Sequence, residues 1–331
     1  MEECVRTNPH VELANVLCLC PINQYLGDIT DEFATLETRT SNSVKIPIKS
    51  RHVFITGGGS SGIGLGLAHA HLAASEGARV SILARSLSKL ADAKRSIKLA
   101  TGVDVATFSA DVRDYDAVSK AVNQSGPIDV LIVNQGVFIG KELEKQSTEE
   151  VKFMIDVNLV GSWSGSFCYL HRPQSRSRTF AGIYGYTAYS ASKFGLQGLA
   201  QALQQEVISH DIHVSLLFPP DTDTPGSEEG KPELTSIIAS SSGSMKTKEV
   251  AKICLDGIKA GKFTVTCHFI GYLLSISTSG MSPQRSVWHA FMEVMFGGLI
   301  RFIGLFFQWG WYNTIAKWSK KKKKKKKPIA S

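Results

Sequence analysis

Val53-Phe54-Ile55-Thr56, followed by Gly57-Gly58-Gly59-Ser60-Ser61-Gly62-Ile63-Gly64, decides how this chain folds. A short β-prone run enters a glycine-rich turn, and Leu65 to Ser75 continues as an alanine- and leucine-rich helical segment. Strand, glycine turn and helix in that order are the opening of a βαβ unit built to hold a dinucleotide. The glycines let the backbone approach a pyrophosphate, and the helix N-terminus supplies amide donors and the positive end of a dipole. A flexible glycine loop is the plainer alternative.

Downstream residues extend the same pattern. The next strand, Arg79 to Ala84, ends in Arg85 with no acidic residue at its tip. An acid there would bind a ribose 2′-hydroxyl, whereas an arginine accommodates a 2′-phosphate, so NADP(H) is expected over NAD(H). Asp111 follows the apolar run Val105 to Ala110 and serves either the adenine region or a helix N-cap. Asp129-Val130-Leu131-Ile132-Val133-Asn134-Gln135-Gly136 reads as a buried strand ending in a polar turn. Asn158 lies in an amphipathic helical stretch.

Tyr189-Ser190-Ala191-Ser192-Lys193 carries the chemistry. Residues four apart share one face of a helix, which sets the Lys193 ammonium beside the Tyr189 phenol. A phenol ordinarily ionises near pH ~10. A neighbouring cation favours the phenolate and brings the group toward a useful acid–base range. By itself the pair is equally well a solvated helix face.

Taken together, these residues resemble the short-chain dehydrogenase/reductase family over roughly residues 50–225. The run Tyr186 to Leu199, the segment Phe218-Pro219-Pro220-Asp221-Thr222-Asp223-Thr224-Pro225-Gly226, and Gly271-Tyr272-Leu273-Leu274 with Gly280-Met281-Ser282-Pro283 resemble its 3-ketodihydrosphingosine reductase branch, the plant members above all. That likeness covers about residues 45–318. It implies a Rossmann-type doubly wound parallel sheet of the α/β class, with a C-terminal membrane-associating helical segment. It also implies NADPH-dependent reduction of a long-chain sphingoid ketone at the cytosolic face of the endoplasmic reticulum. The implied roles are proton donation by Tyr189, support of that donor and of the nicotinamide ribose by Lys193, and a relay water held by Asn158. Gly58, Ser60, Ser61, Gly62, Ile63, Gly64, Arg85, Asp111, Asn134, Lys193, Pro219 and Thr222 are implied on the cofactor.

Three departures from the family pattern stand out. Gly57 is one glycine too many ahead of a Gly58-x-x-x-Gly62-x-Gly64 frame, absorbed as a small bulge. The helix behind it looks about two residues long near Ala70-His71-Leu72, tolerable if the extra residues loop out. The family's catalytic serine position, thirteen before the tyrosine, holds Arg176. A proline and three arginines lie where a central strand is expected, and a splicing or gene-model difference over about 162–180 is the plainest account. Lastly, residues 1–44 carry scattered charges and no long apolar run, which reads as a poorly ordered extension.

The organisation expected is an extension at 1–44, a reductase domain at 45–270 with a substrate lid at 226–245, an apolar membrane-associating segment at 271–319, and a lysine-rich tail at 320–331. The chain has 331 residues and a net charge of +8. Lys320 to Lys327 supplies all of that charge, so the body is no polyanion binder and no nucleic-acid partner is expected. Six scattered cysteines form no zinc pattern and read as reduced thiols. Val294 to Tyr312 is apolar except for Arg301 and Gln308, with Trp309, Trp311 and Trp318 beside the lysines. An interfacial or re-entrant anchor is expected, with a membrane span and a buried soluble helix as the alternatives. The oligomeric state is open, a homo-oligomer among the options. Two other functions compete: a catalytically silent NADP(H)-binding membrane protein, and a reductase of a different lipophilic ketone.

Overall fold

Every residue of β1 (His52–Thr56) is buried, as a strand covered on both faces must be. In the computed structural model, which describes residues 45–57, 63–170, 186–219, 221–222, 244–280, 282–283 and 287–326, β1 pairs in parallel with β2 (Arg79–Ala84) and with β4 (Val130–Val133). β3 (Ala106–Ser109) pairs with β2, which gives a parallel sheet of order β3-β2-β1-β4. The connections α1 (Ile63–Ser75), α2 (Leu87–Thr101) and α3 (Tyr115–Ser125) supply the crossovers that parallel pairing demands.

The alternation along the strands divides the core. Val53, Ile55, Ile82 and Ile132 belong to one buried cluster, with Leu90 and Ile97 of α2. That cluster also takes in α7 (Thr247–Lys259), whose Val250, Cys254, Leu255 and Ile258 are buried. Phe54, Leu83 and Leu131 face the other way, onto Val118 and Val122 of α3. Two further parallel pairs, β5 (Leu216–Phe218) with β8 (Thr264–Thr266) and β6 (Asp221–Thr222) with β7 (Ser244–Met245), complete the strands among the described residues. Leu217 and Val265 join the first cluster, so β5 and β8 share a core with the main sheet.

α1 runs unbroken from Ile63 to Ser75, and nothing loops out near His71. His69, Ala70, Ala73 and Ala74 are all buried, and small side chains around the helix let it bury more than one face. α4 (Thr148–Ile155), opened by a capping box between Ser147 and Glu150, passes into a π turn at Asp156–Val160 and then α5 (Gly161–Leu170). The reactive residues lie on α6 (Thr187–Val207). The chain continues through α8 (Phe269–Ser277) to α9 (Val287–Lys326), a continuous helix of 40 residues. Trp288–Lys321 is long and apolar enough to cross a membrane, and none of its apolar window is buried inside the protein. The alternative of a buried soluble helix is therefore not met.

Candidate active site

Ordinary α geometry does not present Asn158. It sits inside the π turn, a widened turn frequently found at functional sites, and is fully buried. Its side chain ties two elements together. Oδ1 accepts from the Val137 amide at 2.8 Å, while Nδ2 donates to the Val137 carbonyl and to Ser192 Oγ, both at 3.0 Å. Ser192 Oγ in turn donates to the Tyr189 carbonyl at 2.7 Å. The loop after β4 and the first turns of α6 are thus fastened to the same amide.

α6 brings Lys193 Nζ to 5.1 Å from the Tyr189 ring centroid, the one-face arrangement read from the i, i+4 spacing. Lys193 is buried. Gly136 lies beside both polar groups: a Cβ there would stand 3.7 Å from Asn158 Oδ1 and 3.8 Å from Lys193 Nζ. Phe138 and Tyr186 pack on Tyr189 with ring centroids 5.3 and 5.6 Å away, an apolar wall around the phenol. A buried ammonium, a phenol and a polar amide at the carboxyl end of β4 can move a proton to a substrate oxygen and hold the anion left behind.

The cofactor residues divide between described and undescribed positions. Gly58, Ser60, Ser61 and Gly62 lie outside the described residues, and Ile63 and Gly64 begin α1. Gly57 is described. Its φ of +76° is in the left-handed region, and a Cβ would come within 2.6 Å of the Gln135 backbone. A tight turn directly after β1 requires glycine here. Asn134 donates its amide to Thr56 Oγ1 at 3.2 Å, which joins the ends of β4 and β1.

Arg85 follows β2 with its side chain 47% exposed. Asp111 does not cap α3; Asp114 does, accepting from the Ala117 amide. Asp111 instead holds Arg113 through Nε at 3.1 Å and Nη2 at 2.8 Å, and stands 4.0 Å from Arg85 Nη1. The hydrogen bond from Arg113 is the main reason its carboxyl ionises below the usual range. Pro219 is buried after β5, and Thr222 pairs with Met245 between β6 and β7. Arg176, and Ser175 and Ser177 beside it, lie outside the described residues.

Gly57, Arg85, Asp111, Asn134 and Gly136 all stand at or just beyond the carboxyl ends of β1 to β4, where the strand order reverses. A parallel sheet offers a dinucleotide its crevice there, and two glycines keep it clear of side chains, so the residues present fit such a group. The short chain dehydrogenase family profile matches residues 51–172 and 174–234. The chain belongs to the short chain dehydrogenase family.

Among relatives, 3-dehydrosphinganine reductase TSC10B of Arabidopsis thaliana is 72% identical over 84% of this chain and 88% of its own length. TSC10A of the same plant is 67% identical, over 84% and 89%. The zebrafish (Danio rerio) 3-dehydrosphinganine reductase is 35% identical over 82% and 87%. A short-chain dehydrogenase/reductase of Serratia marcescens superposes with a TM-score of 0.59 at 23% identity, covering 67% of this chain and 98% of its own. A Burkholderia cenocepacia short chain dehydrogenase in complex with NADP gives 0.58 at 22% identity, over 67% and 97%. At such identities the two structures bear on the fold alone.

Within this short chain dehydrogenase, Gly57, Gln135, Gly136 and Ser192 escape a reading from sequence motifs. Ser192 carries a usable signal, three residues from Tyr189 on the same helix. Gln135 carries none, because its partners come from separate elements.

Proposed function

We propose that this short chain dehydrogenase reduces 3-dehydrosphinganine, the ketone also called 3-ketodihydrosphingosine, with NADPH in sphingolipid biosynthesis. One observation carries the reading: Asn158 and Lys193 meet beside Gly136, with Tyr189 next to Lys193, in a chain 72% identical to a plant 3-dehydrosphinganine reductase. Bound NADPH would supply the hydride. Gly57 and the start of α1 would hold its pyrophosphate, and Arg85 its 2′-phosphate.

The protein's own part is proton delivery and positioning. The Tyr189 phenol donates to the ketone oxygen as that oxygen gains charge. The Lys193 ammonium stabilises the phenolate that remains, an opposite charge nearby favouring the ionised form. Asn158 fixes the Gly136–Val137 loop on one side and, through Ser192, the start of α6 on the other. Phe138 and Tyr186 pack against the Tyr189 ring and offer an apolar surface to a long alkyl chain.

The substrate's lipid nature gives α9 its role. We assign it as the element that attaches the enzyme to the endoplasmic reticulum membrane, with the catalytic domain, 45–270, on the cytosolic side and 226–245 as a lid. Its helical length of about 60 Å exceeds the ~30 Å hydrocarbon core. Apolar residues from Val294 to Tyr312 occupy most of its circumference, and Arg301 and Gln308 share one side.

The test is NADPH oxidation by the purified protein in detergent with 3-dehydrosphinganine, alongside Tyr189→Phe. Turnover that the variant loses by about 10²-fold or more is expected. NADPH binding without turnover in the unaltered protein would sink the reading in favour of a silent dinucleotide-binding protein.

A further inference from the structure

Gln135 follows Asn134 at the end of β4, and its side-chain amide lies in the middle of a directed chain of hydrogen bonds. The Asn134 amide donates to Thr56 Oγ1 at 3.2 Å, and the Thr56 hydroxyl donates to Gln135 Oε1. On its other side, Gln135 Nε2 donates to Ser162 Oγ at 3.0 Å. With its oxygen occupied as acceptor, the Ser162 hydroxyl donates to the Asn158 carbonyl at 2.6 Å. Ser162 and Thr56 are buried, and Gln135 between them is half-buried.

Polarity runs one way through this chain. An amide has both a donor and an acceptor end, and Gln135 uses each once, which fixes its orientation between Thr56 and Ser162. In the π turn, the Gly161 amide bonds to the Asp156 carbonyl, five residues back. A turn of that kind has irregular carbonyl pairing, and the Ser162 hydroxyl takes up the carbonyl of Asn158 itself. The backbone of Asn158 is thereby held from the β1–β4 side. Its side chain then holds Val137 and, through Ser192, the backbone of Tyr189.

We infer that Gln135 and Ser162 are positioning residues for proton transfer: they set the π turn so that Asn158 holds the Gly136–Val137 loop and the Tyr189 turn in register. The inference rests on the reading of Tyr189, Lys193 and Asn158 as the reactive group. Gln135 touches neither Tyr189 nor Lys193 through these bonds and acts only through Ser162 and Asn158. Loss of a single bond in such a chain should loosen the register without emptying the cofactor site.

The experiment uses the full chain in detergent with Gln135→Met, which keeps length but deletes both bonds, and Ser162→Ala, which deletes the last link. Steady-state kinetics with the sphingoid ketone give kcat and KM for each variant, titration gives the Kd of NADPH, and hydrogen exchange is followed at the Val137 amide. A loss of about tenfold in kcat is expected, the size of one buried hydrogen bond, with KM and Kd within about twofold. Exchange at Val137 should quicken in both variants, and the double variant should be no worse than the poorer single one, because the two residues act in series. A lowered melting temperature with kcat and Val137 exchange unchanged overturns the inference. Should Gln135→Met fail to fold, Ser162→Ala makes the same comparison. Should the unaltered protein not turn over, the proposed function fails separately, and exchange decides: faster in the variants upholds the coupling, unchanged ends it.

Discussion

Gly195 of α6 lies so close to Leu159 of the π turn that a Cβ on Gly195 would come within 2.8 Å of Leu159 Cδ2. This close approach lets Ser192 and Lys193, one turn earlier, reach Asn158 and Gly136. Gly195→Ala should force Leu159 or the helix to shift. Over-packing of a filled site typically costs ~1–3 kcal/mol. A lower melting temperature accompanied by a several-fold loss of kcat is expected; unaltered values for both would show that the approach of α6 is not set here.

Gly57→Ala should be harsher. The clash at 2.6 Å is with the Gln135 backbone, which cannot swing aside as a leucine tip can, and the φ of +76° disfavours any side chain. Strain of this kind costs on the order of 1–3 kcal/mol before the clash is counted. We expect destabilisation together with weaker NADPH binding, followed by thermal unfolding with and without the cofactor. A variant that binds NADPH like the unaltered chain would remove Gly57 from the site.

These two glycines show what a sequence discloses and what it hides. Strand, turn and helix are legible at residues 53–75 because periodicity and composition are local properties. The Tyr189–Lys193 pair is legible because helical spacing alone sets it. Gly57 looks surplus in sequence because what bars a side chain there is the backbone of Gln135, distant along the chain at the end of β4. Asp111 admits two readings, and only the fold shows that Asp114 caps α3 instead. Asn158 falls on a helical pattern, but the π turn that aims it leaves no periodic signature. Ser162 and Gln135 have no signal at all, since the bond between them spans elements distant in sequence.

His52 makes stability depend on pH. It is buried in β1, with Nε2 2.7 Å from Ser81 Oγ and Nδ1 2.6 Å from the Pro127 carbonyl. Burial, above all, lowers its pKa below 6.5, with Arg79 acting the same way. Folding therefore favours the neutral ring. Its stabilisation is complete above the unfolded value and is lost as pH falls below about 6.5 toward the folded value, with a slope of at most about 1.4 kcal/mol per pH unit for one proton. His71 shifts in the same direction. Urea unfolding between about pH 7.5 and 5.5 should show declining stability, and His52→Gln should flatten the decline. An unchanged slope in the variant would exclude His52 as its source.

Arg85 should choose between the two nicotinamide cofactors. Asp111 is occupied by Arg113 through three hydrogen bonds, two from the guanidinium and one from the backbone amide, and meets Arg85 only at 4.0 Å. A charge-assisted bond to a phosphate is worth ~1.5–3 kcal/mol. Arg85→Ala should raise the Kd for NADPH by about tenfold or more and leave that for NADH nearly unchanged, as isothermal titration can measure. Equal losses for both cofactors would place the 2′-phosphate elsewhere.

Removal of α9 should separate attachment from fold. Trp288, Phe291, Val294, Leu299, Phe302 and Phe306 are exposed on it, and none of its apolar window packs into the body. Such a surface is an aggregation liability in water and an anchor in lipid. The two buried clusters flanking β1 draw nothing from α9. A chain ending at Arg285 should therefore move from the membrane pellet to the supernatant after fractionation and keep its far-ultraviolet circular dichroism apart from the lost helix. If the shortened chain stays in the pellet as folded, detergent-extractable protein, another surface holds the membrane. If it is soluble but unfolded, α9 stabilises the body through contacts beyond its small share with α8.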